Sequence, residues 1–262
     1  MPVALVTGAS TGLGREFTLL CAHEGYDLVL VARSQFRLES LADELRRNTG
    51  RQVLTIAKDL ADPAGPQAVY DEMDCAGFDV ELLINNAGFG LRGRFWELDQ
   101  AEQMRMIHLN IGALTELSRL FLPKFVERRR GTILNIASTA AFQPGPLMSV
   151  YYATKAYVVS FSEALHNDAK DYGVNVVCFC PGATRTEFQQ RAGMDNSRLF
   201  KSSHVMDAPT VARLGMAAAR SGKPLAIAGR MNALMAFLTR FAPIQFTASM
   251  ARRFQEGSEP GA

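Results

Sequence analysis

The sequence has few of the residues that build metal centres or disulfide frameworks. It contains four cysteines and four histidines in 262 residues. No two cysteines form a C-x-x-C pair, and no histidine lies at metal-ligand spacing from a cysteine, so we expect no metal site. Cys178 and Cys180 alternate within an apolar run, which predicts two thiols on one side of a buried strand. Free buried thiols suit a reducing compartment.

Long apolar runs and a strong excess of one charge are also missing. No apolar stretch approaches the roughly 20 residues that cross a bilayer, and a net charge of +2 is too small to indicate nucleic acid. We interpret the basic cluster Arg128–Arg130 as cations at a helix C-terminus, the alternative being a site for an acidic partner. Met1 and Pro2 lead directly into an apolar run, so we expect no signal peptide, a cytoplasmic location and no membrane association.

Short apolar runs alternate with helical patterns along the chain. Most runs are continuously apolar, which is typical of strands covered by helices on both faces. This alternation predicts an α/β fold, a Rossmann-type doubly wound parallel sheet of about seven strands with helices on both faces. The predicted strands are Val3–Val6, Asp27–Ala32, Gln52–Ala57, Leu82–Asn85, Thr132–Ala137, Asn175–Cys180 and Leu225–Ala228.

Three helix starts carry capping signals. Ser34 precedes the helical pattern Gln35–Arg47, and Asp62 and Asp207 each stand just before a proline that suits a first helical turn. The residues predicted on the buried face of Gln35–Arg47 are Phe36, Leu38, Leu41, Ala42 and Leu45. Since no repeat or linker is visible, we predict one domain over 1–256 and a disordered tail at 257–262.

The first strand pattern ends in a glycine-rich turn. Thr7 is followed by Gly8, Gly12 and Gly14 in the spacing T-G-x-x-x-G-x-G, and a helical pattern follows directly. A tight strand-to-helix turn needs residues without Cβ, and a pyrophosphate needs close backbone approach to a helix N-terminus. We therefore predict a nucleotide site here, the alternative being a simple tight turn. The predicted contacts are Gly8, Ser10, Thr11, Gly12, Leu13 and Gly14.

The end of the second strand pattern bears on which nucleotide binds. An NAD site usually has a carboxylate here that accepts a hydrogen bond from the ribose 2′-hydroxyl. Leu28–Ala32 contains none, and Arg33 follows. Because a guanidinium holds a 2′-phosphate bidentately, the sequence favours NADP(H) over NAD(H), with Ser10 and Ser34 as helpers. The alternative for Arg33 is a solvated side chain.

A tyrosine and a lysine share one predicted helix face. Tyr151 and Lys155 are four residues apart, a spacing that is common and usually structural by itself. Here Tyr151 comes thirteen residues after Ser138, which follows the strand pattern Thr132–Ala137. Ligands of parallel sheets bind at the carboxyl ends of the strands, so the three side chains are candidates for one site.

The ordered set of motifs resembles the short-chain dehydrogenase/reductase family, in its compact single-domain branch. The resemblance covers roughly residues 3–190 and rests on the turn at 7–14, Asp59-Leu60, Asn85-Asn86-Ala87-Gly88, Asn110, Ser138, Tyr151-x-x-x-Lys155 and Pro181-Gly182. It implies an oxidoreductase that transfers hydride between NADP(H) and a small-molecule carbonyl or secondary alcohol. It also implies a homo-oligomer, either a dimer or a tetramer.

The resemblance implies a role for each matching residue. Tyr151 would donate a proton to the substrate carbonyl, and Ser138 would hydrogen-bond that oxygen. Lys155 would bind the nicotinamide ribose and, together with the oxidised nicotinamide, favour the phenolate. Asn110 would hold a water that links Lys155 to bulk solvent. The further implied cofactor contacts are Asp59, Leu60, Asn86, Ala87, Gly88, Tyr151, Lys155, Pro181, Gly182, Thr184 and Thr186.

Two positions depart from the pattern of the family. Thr184 stands where an aliphatic residue is commoner. Thr11 stands where many NADP-preferring members have lysine or arginine, so the prediction of NADP(H) rests mainly on Arg33.

Substrate choice is expected from Phe89–Phe95, Phe142–Met148 and Phe188–Val205, the last within a substrate loop at about 187–208. Apolar residues there predict a pocket for a lipophilic ketone, an acyl chain or a steroid-like alcohol, or else simply fill the core. They are Phe142, Leu147, Met148, Phe188 and Met194.

Apolar residues recur at helical spacing in the C-terminal segment 230–256. They are Leu234, Phe237, Leu238, Phe241, Phe246, Met250 and Phe254, with Arg240, Arg252 and Arg253 between them. We favour packing on the sheet or at a homo-oligomer interface. The alternatives are a mobile cap over the substrate pocket and an amphipathic helix on a membrane surface.

Two other functions compete with a dehydrogenase of free carbonyl compounds. A reductase of carrier-bound 3-ketoacyl groups predicts a salt-sensitive role for Arg128–Arg130. A non-catalytic NADPH-sensing regulator normally lacks the Tyr/Lys pair that is present here. Isomerases and dehydratases of nucleotide sugars share Y-x-x-x-K, but they usually have a different glycine spacing and a larger C-terminal region.

Overall fold

The strands form two sheets in the computed structural model, which describes residues 1–194, 197 and 205–256. The strands are β1 Val3–Thr7, β2 Asp27–Ala32, β3 Val53–Ala57, β4 Val80–Asn85, β5 Gly131–Ile136, β6 Val174–Cys180, β7 Thr184–Arg185, β8 Met206–Asp207 and β9 Leu225–Ile227. Seven of these form one parallel sheet in the order β3-β2-β1-β4-β5-β6-β9, and β7 pairs with β8. The predicted doubly wound parallel sheet is confirmed.

Helices cover both faces of the large sheet. They are α1 Gly12–His23, α2 Gln35–Thr49, α3 Gly65–Cys75, α4 Gln100–Ile107, α5 Leu114–Glu127, α6 Ser149–Ala169, α7 Phe188–Arg191, α8 Ala208–Ser221, α9 Arg230–Leu238 and α10 Ile244–Gln255. A π-helical turn, His108–Ala113, joins α4 to α5. The predicted tail at 257–262 and part of the predicted substrate loop, 195–196 and 198–204, lie outside the described residues.

The continuous apolar runs follow from burial on both faces. In β1, Ala4 and Val6 pack into a core beneath α1, α2 and α8, whereas Val3 and Leu5 pack beneath α3 and α5. Successive side chains of a strand point to opposite faces, so a strand between two helical layers is apolar at most of its positions. Within the described part of the chain, no helix is both long enough and apolar enough to cross a bilayer.

Two of the three predicted helix caps are found. The Ser34 hydroxyl accepts from the Arg37 amide at 3.4 Å, and the Asp207 carboxylate accepts from the Thr210 amide at 2.8 Å. The predicted start at Asp62 is wrong, because α3 begins only at Gly65. The Asp62 carboxylate accepts from Ala64 N at 2.9 Å, two residues on, and so forms a turn before the helix.

One residue of the predicted buried face of α2 is wrongly placed. Leu38, Leu41, Ala42 and Leu45 are buried, but Phe36 is 83% exposed. The buried four lie at i, i+3, i+4 and i+7 from Leu38. Phe36 precedes them by two residues, and a helical step of two residues turns the side chain to the opposite face.

The two cysteines and the basic cluster lie where the sequence predicts. The Cys178 and Cys180 sulfurs are 4.0 Å apart on one side of β6, and both residues are buried. Arg128 is the C-cap of α5, and it pairs with Asp79 at 2.7 Å, while Arg130 pairs with Glu81 at 2.6 Å. These pairs lie where β4 and β5 begin, so the cluster belongs to the amino edge of the sheet.

Gly14→Ala is expected to destabilise the protein by about 1–3 kcal/mol, the usual cost of overpacking. A Cβ at position 14 would overlap the backbone carbonyl of Gly8, which cannot rotate away. Gly112→Ala is the matched control, because a Cβ there meets nothing within 4 Å. Urea unfolding measures both free energies of unfolding. Equal stability of the two variants would contradict close packing between the start of α1 and the end of β1.

Candidate active site

A cleft of about 950 Å³ lies at the carboxyl ends of the parallel strands. It is centred where the chain order reverses, since β1 connects through α1 to β2 on one side and pairs with β4 on the other. Ligands of doubly wound sheets bind at such switch points. All predicted site residues line the cleft except Gly14 and Asn110.

The glycine turn presents backbone groups to the middle of the cleft. Gly8 and Gly12 have φ of 65° and 54°, left-handed values that favour glycine. Helix α1 begins at Gly12, and its N-cap Thr11 makes no side-chain capping bond. The first amides of α1 are therefore available to an anion, with the positive end of the helix dipole behind them. This turn fits the predicted pyrophosphate.

Hydrogen bonds join the turn to the segment after β4. The Thr7 hydroxyl accepts from the amides of Asn86 and Ala87, each at 2.9 Å. The Asn86 side chain donates to the Thr7 carbonyl at 2.9 Å. Asn86 thus positions the two walls of the cleft through its side chain. The residue before it, Asn85, donates inside the sheet to Asn135 Oδ1 at 2.9 Å.

The end of the cleft next to β2 and β3 is basic. Arg33 lines it as predicted, together with Arg37 and Lys58, which the sequence analysis missed. Arg37 lies in the first turn of α2 and Lys58 directly follows β3, so their positions after two strand patterns were the available signal. Arg37 pairs with Glu187 at 3.1 Å. This end suits a ligand group with a high negative charge.

Asp59 and Leu60 also line this part of the cleft. The Asp59 carboxylate accepts from the Ala61 amide at 3.0 Å and from Arg105 at 2.7 Å. Asp59 therefore shapes the loop after β3, and Arg105 of α4 neutralises its charge.

The three predicted catalytic side chains meet at the other end of the cleft. Ser138 follows β5, and its hydroxyl accepts from the Ala140 amide at 3.1 Å at the start of a short 3₁₀ turn. Tyr151 and Lys155 lie on the first turns of α6 and are both buried. The Lys155 Nζ is 5.8 Å from the centre of the Tyr151 ring and donates to the Ile136 carbonyl at 2.8 Å.

Burial shifts both pKa values in this cluster toward the neutral forms. It raises the pKa of Tyr151, and a hydrogen bond with the Ser138 hydroxyl opposes this rise. It lowers the pKa of Lys155 to about 8. The expected lowering of the tyrosine pKa is therefore not produced by the protein's own groups, because desolvation of the phenol outweighs them. Tyr151 is a protonated phenol near neutral pH.

Asn110 lies behind the cleft wall, in the π-helical turn. Its amide nitrogen donates to the Phe89 carbonyl at 2.9 Å and to the Thr154 hydroxyl at 3.1 Å, and its oxygen accepts from the Phe89 amide at 3.1 Å. These bonds use both amide protons and leave the oxygen as the only side-chain acceptor for the predicted water. Asn110 holds Phe89 and α6 in place. A Cβ on Gly88 would lie 3.0 Å from its oxygen, which explains the glycine.

The segment after β6 completes this end. Pro181, Gly182, Thr184 and Thr186 line the cleft as predicted, and the Thr184 hydroxyl donates to the Gly182 carbonyl at 3.0 Å. Asn232 of α9 packs so closely on Gly182 that a Cβ at 182 would overlap it.

Apolar side chains surround the catalytic end. Phe142, Met148, Phe188 and Met194 line it as predicted, and the Phe188 ring centre lies 5.4 Å from that of Tyr151. The prediction for Leu147 is wrong, because it is not among the lining residues. Its φ of 67° belongs to a turn, where the backbone directs the side chain elsewhere.

Helices α9 and α10 form the remaining wall of the cleft. The favoured interpretation of segment 230–256, packing on the sheet or at a homo-oligomer interface, did not predict this position. Their positions agree with the alternative interpretation as a cap. The lining residues from this segment are Asn232, Met235, Ala236, Leu238, Thr239, Ala242, Phe246, Thr247, Met250, Ala251, Phe254 and Gln255.

Two hydrogen bonds attach the end of α10 to the body of the protein. The Gln255 side chain donates to the Tyr152 hydroxyl at 2.7 Å, and the Gln255 carbonyl accepts from Arg92 Nε at 2.7 Å. Arg92 also donates to the Gly193 carbonyl at 3.4 Å. These contacts join residues far apart in the chain, so no sequence spacing signals them. Tyr152 lines the cleft next to Tyr151.

Comparisons with known proteins agree with this geometry. A family model described as short chain dehydrogenase matches residues 2–197, which include Asn110, Ser138, Tyr151 and Lys155. The chain is 37% identical over 181 residues to a very-long-chain 3-oxoacyl-CoA reductase of Pyrenophora tritici-repentis, covering 67% of this chain and 52% of that protein. It is 30% identical over 204 residues to 17-beta-hydroxysteroid dehydrogenase type 3 of Rattus norvegicus, covering 76% and 65%. The chain thus spans between half and two thirds of the length of these relatives.

Two solved structures are matched over almost their full length. A short-chain dehydrogenase from Sphingobium yanoikuyae in complex with NADPH is 34% identical with a TM-score of 0.81, covering 98% of this chain and 99% of that one. A bulky-bulky ketone specific alcohol dehydrogenase from Comamonas testosteroni is 29% identical with a TM-score of 0.77, covering 92% and 93%.

The catalytic side chains, the glycine turn and the sheet order agree with each other and with the family match. The Tyr/Lys pair, which a non-catalytic regulator normally lacks, lies in the cleft, and this position argues further against that alternative. The chain belongs to the short-chain dehydrogenase family.

Proposed function

We propose that this enzyme is an NADPH-dependent reductase of bulky, lipophilic ketones. The observation that carries the proposal is the large cleft with many apolar lining residues that contains Tyr151. Phe142, Phe188, Met235 and Met250 come from four different parts of the chain and all line this cleft of about 950 Å³. A cleft of this size with apolar walls suits a ketone with large apolar substituents.

The basic end of the cleft supports NADP(H) as the cofactor. Arg33, Arg37 and Lys58 lie where an NAD site would have a carboxylate for the ribose. When bound, NADPH supplies the hydride. The Sphingobium yanoikuyae relative is in complex with NADPH, which agrees with this assignment. NAD(H) remains the alternative if the arginine is solvated.

The chemistry of the protein residues suits reduction. Tyr151, protonated because of its burial, donates a proton to the substrate oxygen. Ser138 donates a hydrogen bond to the same oxygen as negative charge develops. A Lys155 pKa of about 8 leaves a substantial share of the lysine charged at neutral pH, and that charge stabilises the phenolate formed by proton loss.

A long-chain 3-oxoacyl thioester is the second candidate substrate, because relatives carry that activity in their names. An apolar cleft would accept the acyl chain. The Arg128–Arg130 cluster predicted to serve a carrier lies at the opposite edge of the sheet and is ion-paired. The geometry therefore favours a free ketone. A cytoplasmic location and a homo-oligomeric state stay predictions.

Tyr151→Phe is expected to lower kcat for ketone reduction by about 10²–10⁴-fold, the usual contribution of a general acid. The dissociation constant of NADPH should change little, since the ring and its packing remain. Steady-state absorbance assays and fluorescence titration measure the two quantities. Retained turnover would reject Tyr151 as the proton donor.

Arg33→Asp is expected to lower kcat/KM with NADPH by about ten- to a hundredfold, because a charge-assisted contact is replaced by repulsion. The value with NADH should stay equal or rise. Arg47→Asp, at an exposed position of the helix that follows Arg33, is the matched control and should leave the ratio unchanged. Unchanged selectivity in Arg33→Asp would remove the main support for NADPH.

Ala242→Phe is expected to lower kcat/KM for diaryl ketones at least about tenfold, as loss of space in an apolar pocket does. Cyclohexanone reduction should stay within about twofold, since a small ring does not reach that wall. Ala248→Phe is the control, because Ala248 belongs to α10 but does not line the cleft. If both ketones slow equally in Ala242→Phe, or 3-oxoacyl thioesters are strongly preferred, the substrate assignment is wrong.

A further inference from the structure

Helix α9, the connection after it and the start of α10 carry exposed apolar side chains outside the cleft. We define this outer face by Met231, Leu234, Phe237, Phe241 and Ile244, which are between 50% and 73% exposed. None of the five lines the cleft. The Phe237 and Phe241 ring centres lie 5.1 Å apart, so the two rings form one exposed patch. Contiguous exposed apolar residues of this size indicate an interaction surface.

The charge of the same segment has one sign. Residues 222–255 include Lys223, Arg230, Arg240, Arg252 and Arg253, and they contain neither aspartate nor glutamate. Arg252 pairs with Glu256 at 2.8 Å. No ion pair is found for Arg230, Arg240 or Arg253 within residues 1–194, 197 and 205–256. An apolar patch is therefore bordered by cations.

We propose that the outer face docks on an anionic membrane surface. Apolar side chains bordered by arginine are the pattern of helices that lie in the plane of a lipid interface. A two-fold contact between two copies of the chain would set the same cationic segment against itself, without acidic residues of that segment to compensate. An anionic lipid surface offers the opposite charge and an apolar layer together.

Exposed aromatic residues also occur in the loop that contacts the C-terminal end of α10. Phe95 and Trp96 are 61% and 77% exposed in the loop between β4 and α4. Arg92 of the same loop donates to the Gln255 carbonyl at 2.7 Å, so the loop lies beside the last turn of α10. Tryptophan is enriched at the level of lipid headgroups.

Docking also brings the cleft close to the lipid surface. Residues of α9 and α10 line the cleft, so docking of the outer face gives a lipophilic substrate dissolved in the bilayer a short path to it. This route rests on the proposed function. The docking itself does not, since it depends only on the outer face and its charge.

Vesicle flotation of the full chain tests the docking. We expect the protein to float with vesicles of phosphatidylcholine and phosphatidylglycerol at least about fivefold more than with phosphatidylcholine alone, since each basic residue contributes a factor of about five. High salt should remove most of the difference. Equal binding to both vesicles, or none to either, overturns the proposal.

Two matched pairs of variants locate the surface. Phe237→Ser/Phe241→Ser/Ile244→Ser should lower the partition coefficient at least about tenfold, whereas Phe36→Ser/Tyr172→Ser/Leu214→Ser removes exposed rings and an exposed leucine elsewhere and should not. Arg240→Gln/Arg253→Gln should act like the first triple variant, and the control Arg47→Gln/Arg119→Gln should not. If the controls lose binding equally, the assigned surface is wrong.

Two further readouts separate docking from its competitors. Reduction of a water-soluble ketone should be unchanged in the outer-face triple variant, which shows that the fold is intact and separates this test from the proposed function. Sedimentation velocity should give the same oligomeric state for the wild type and that variant. A wild-type oligomer that dissociates in the variant would assign the outer face to a second copy of the chain and overturn the proposal.

Discussion

The site depends on the register of the central parallel strands, which aligns their carboxyl ends. Asn85 of β4, Asn135 of β5 and Cys178 of β6 stand opposite each other in the parallel sheet. Asn135 accepts from Asn85 and donates to Ser162 of α6 at 2.9 Å, so a buried polar chain ties two strands to the catalytic helix. A slip of one residue would point these amide side chains at apolar neighbours. Their hydrogen bonds therefore strongly favour the observed register over its alternatives.

This register places segments that are distant in the sequence side by side at the carboxyl edge of the sheet. The segment after β4 carries Asn86 and Gly88, the segment after β5 carries Ser138, and the segment after β6 carries Pro181. Helix α6 then places a phenol and an ammonium where little water reaches them. Their shared burial raises the pKa of Tyr151 and lowers that of Lys155, so the phenol holds its proton near neutral pH.

The sequence predicted the sheet and most of the cleft because those signals are local. Continuous apolar runs marked the strands to within one residue at each end except for β4, which was predicted two residues too short because Glu81 interrupts its apolar run. Periodicity showed that segment 230–256 buries one face, but it cannot show which surface that face meets. The same limit applies to the pair of Arg37 and Glu187, which are 150 residues apart. The prediction for Phe36 was wrong because an apolar residue two positions before the buried stripe of α2 looks the same in the sequence as one within it. The prediction for Asp62 was wrong because an aspartate before a turn looks the same in the sequence as one before a helix.

The attachment of α10 has a consequence for the catalytic helix. The Gln255 side chain donates to the hydroxyl of Tyr152, which directly follows Tyr151 in α6. The final turn of α10 is thus coupled to the residue beside the proton donor, although the two lie more than a hundred positions apart in the chain. A substitution in that last turn is therefore felt where the phenol is held.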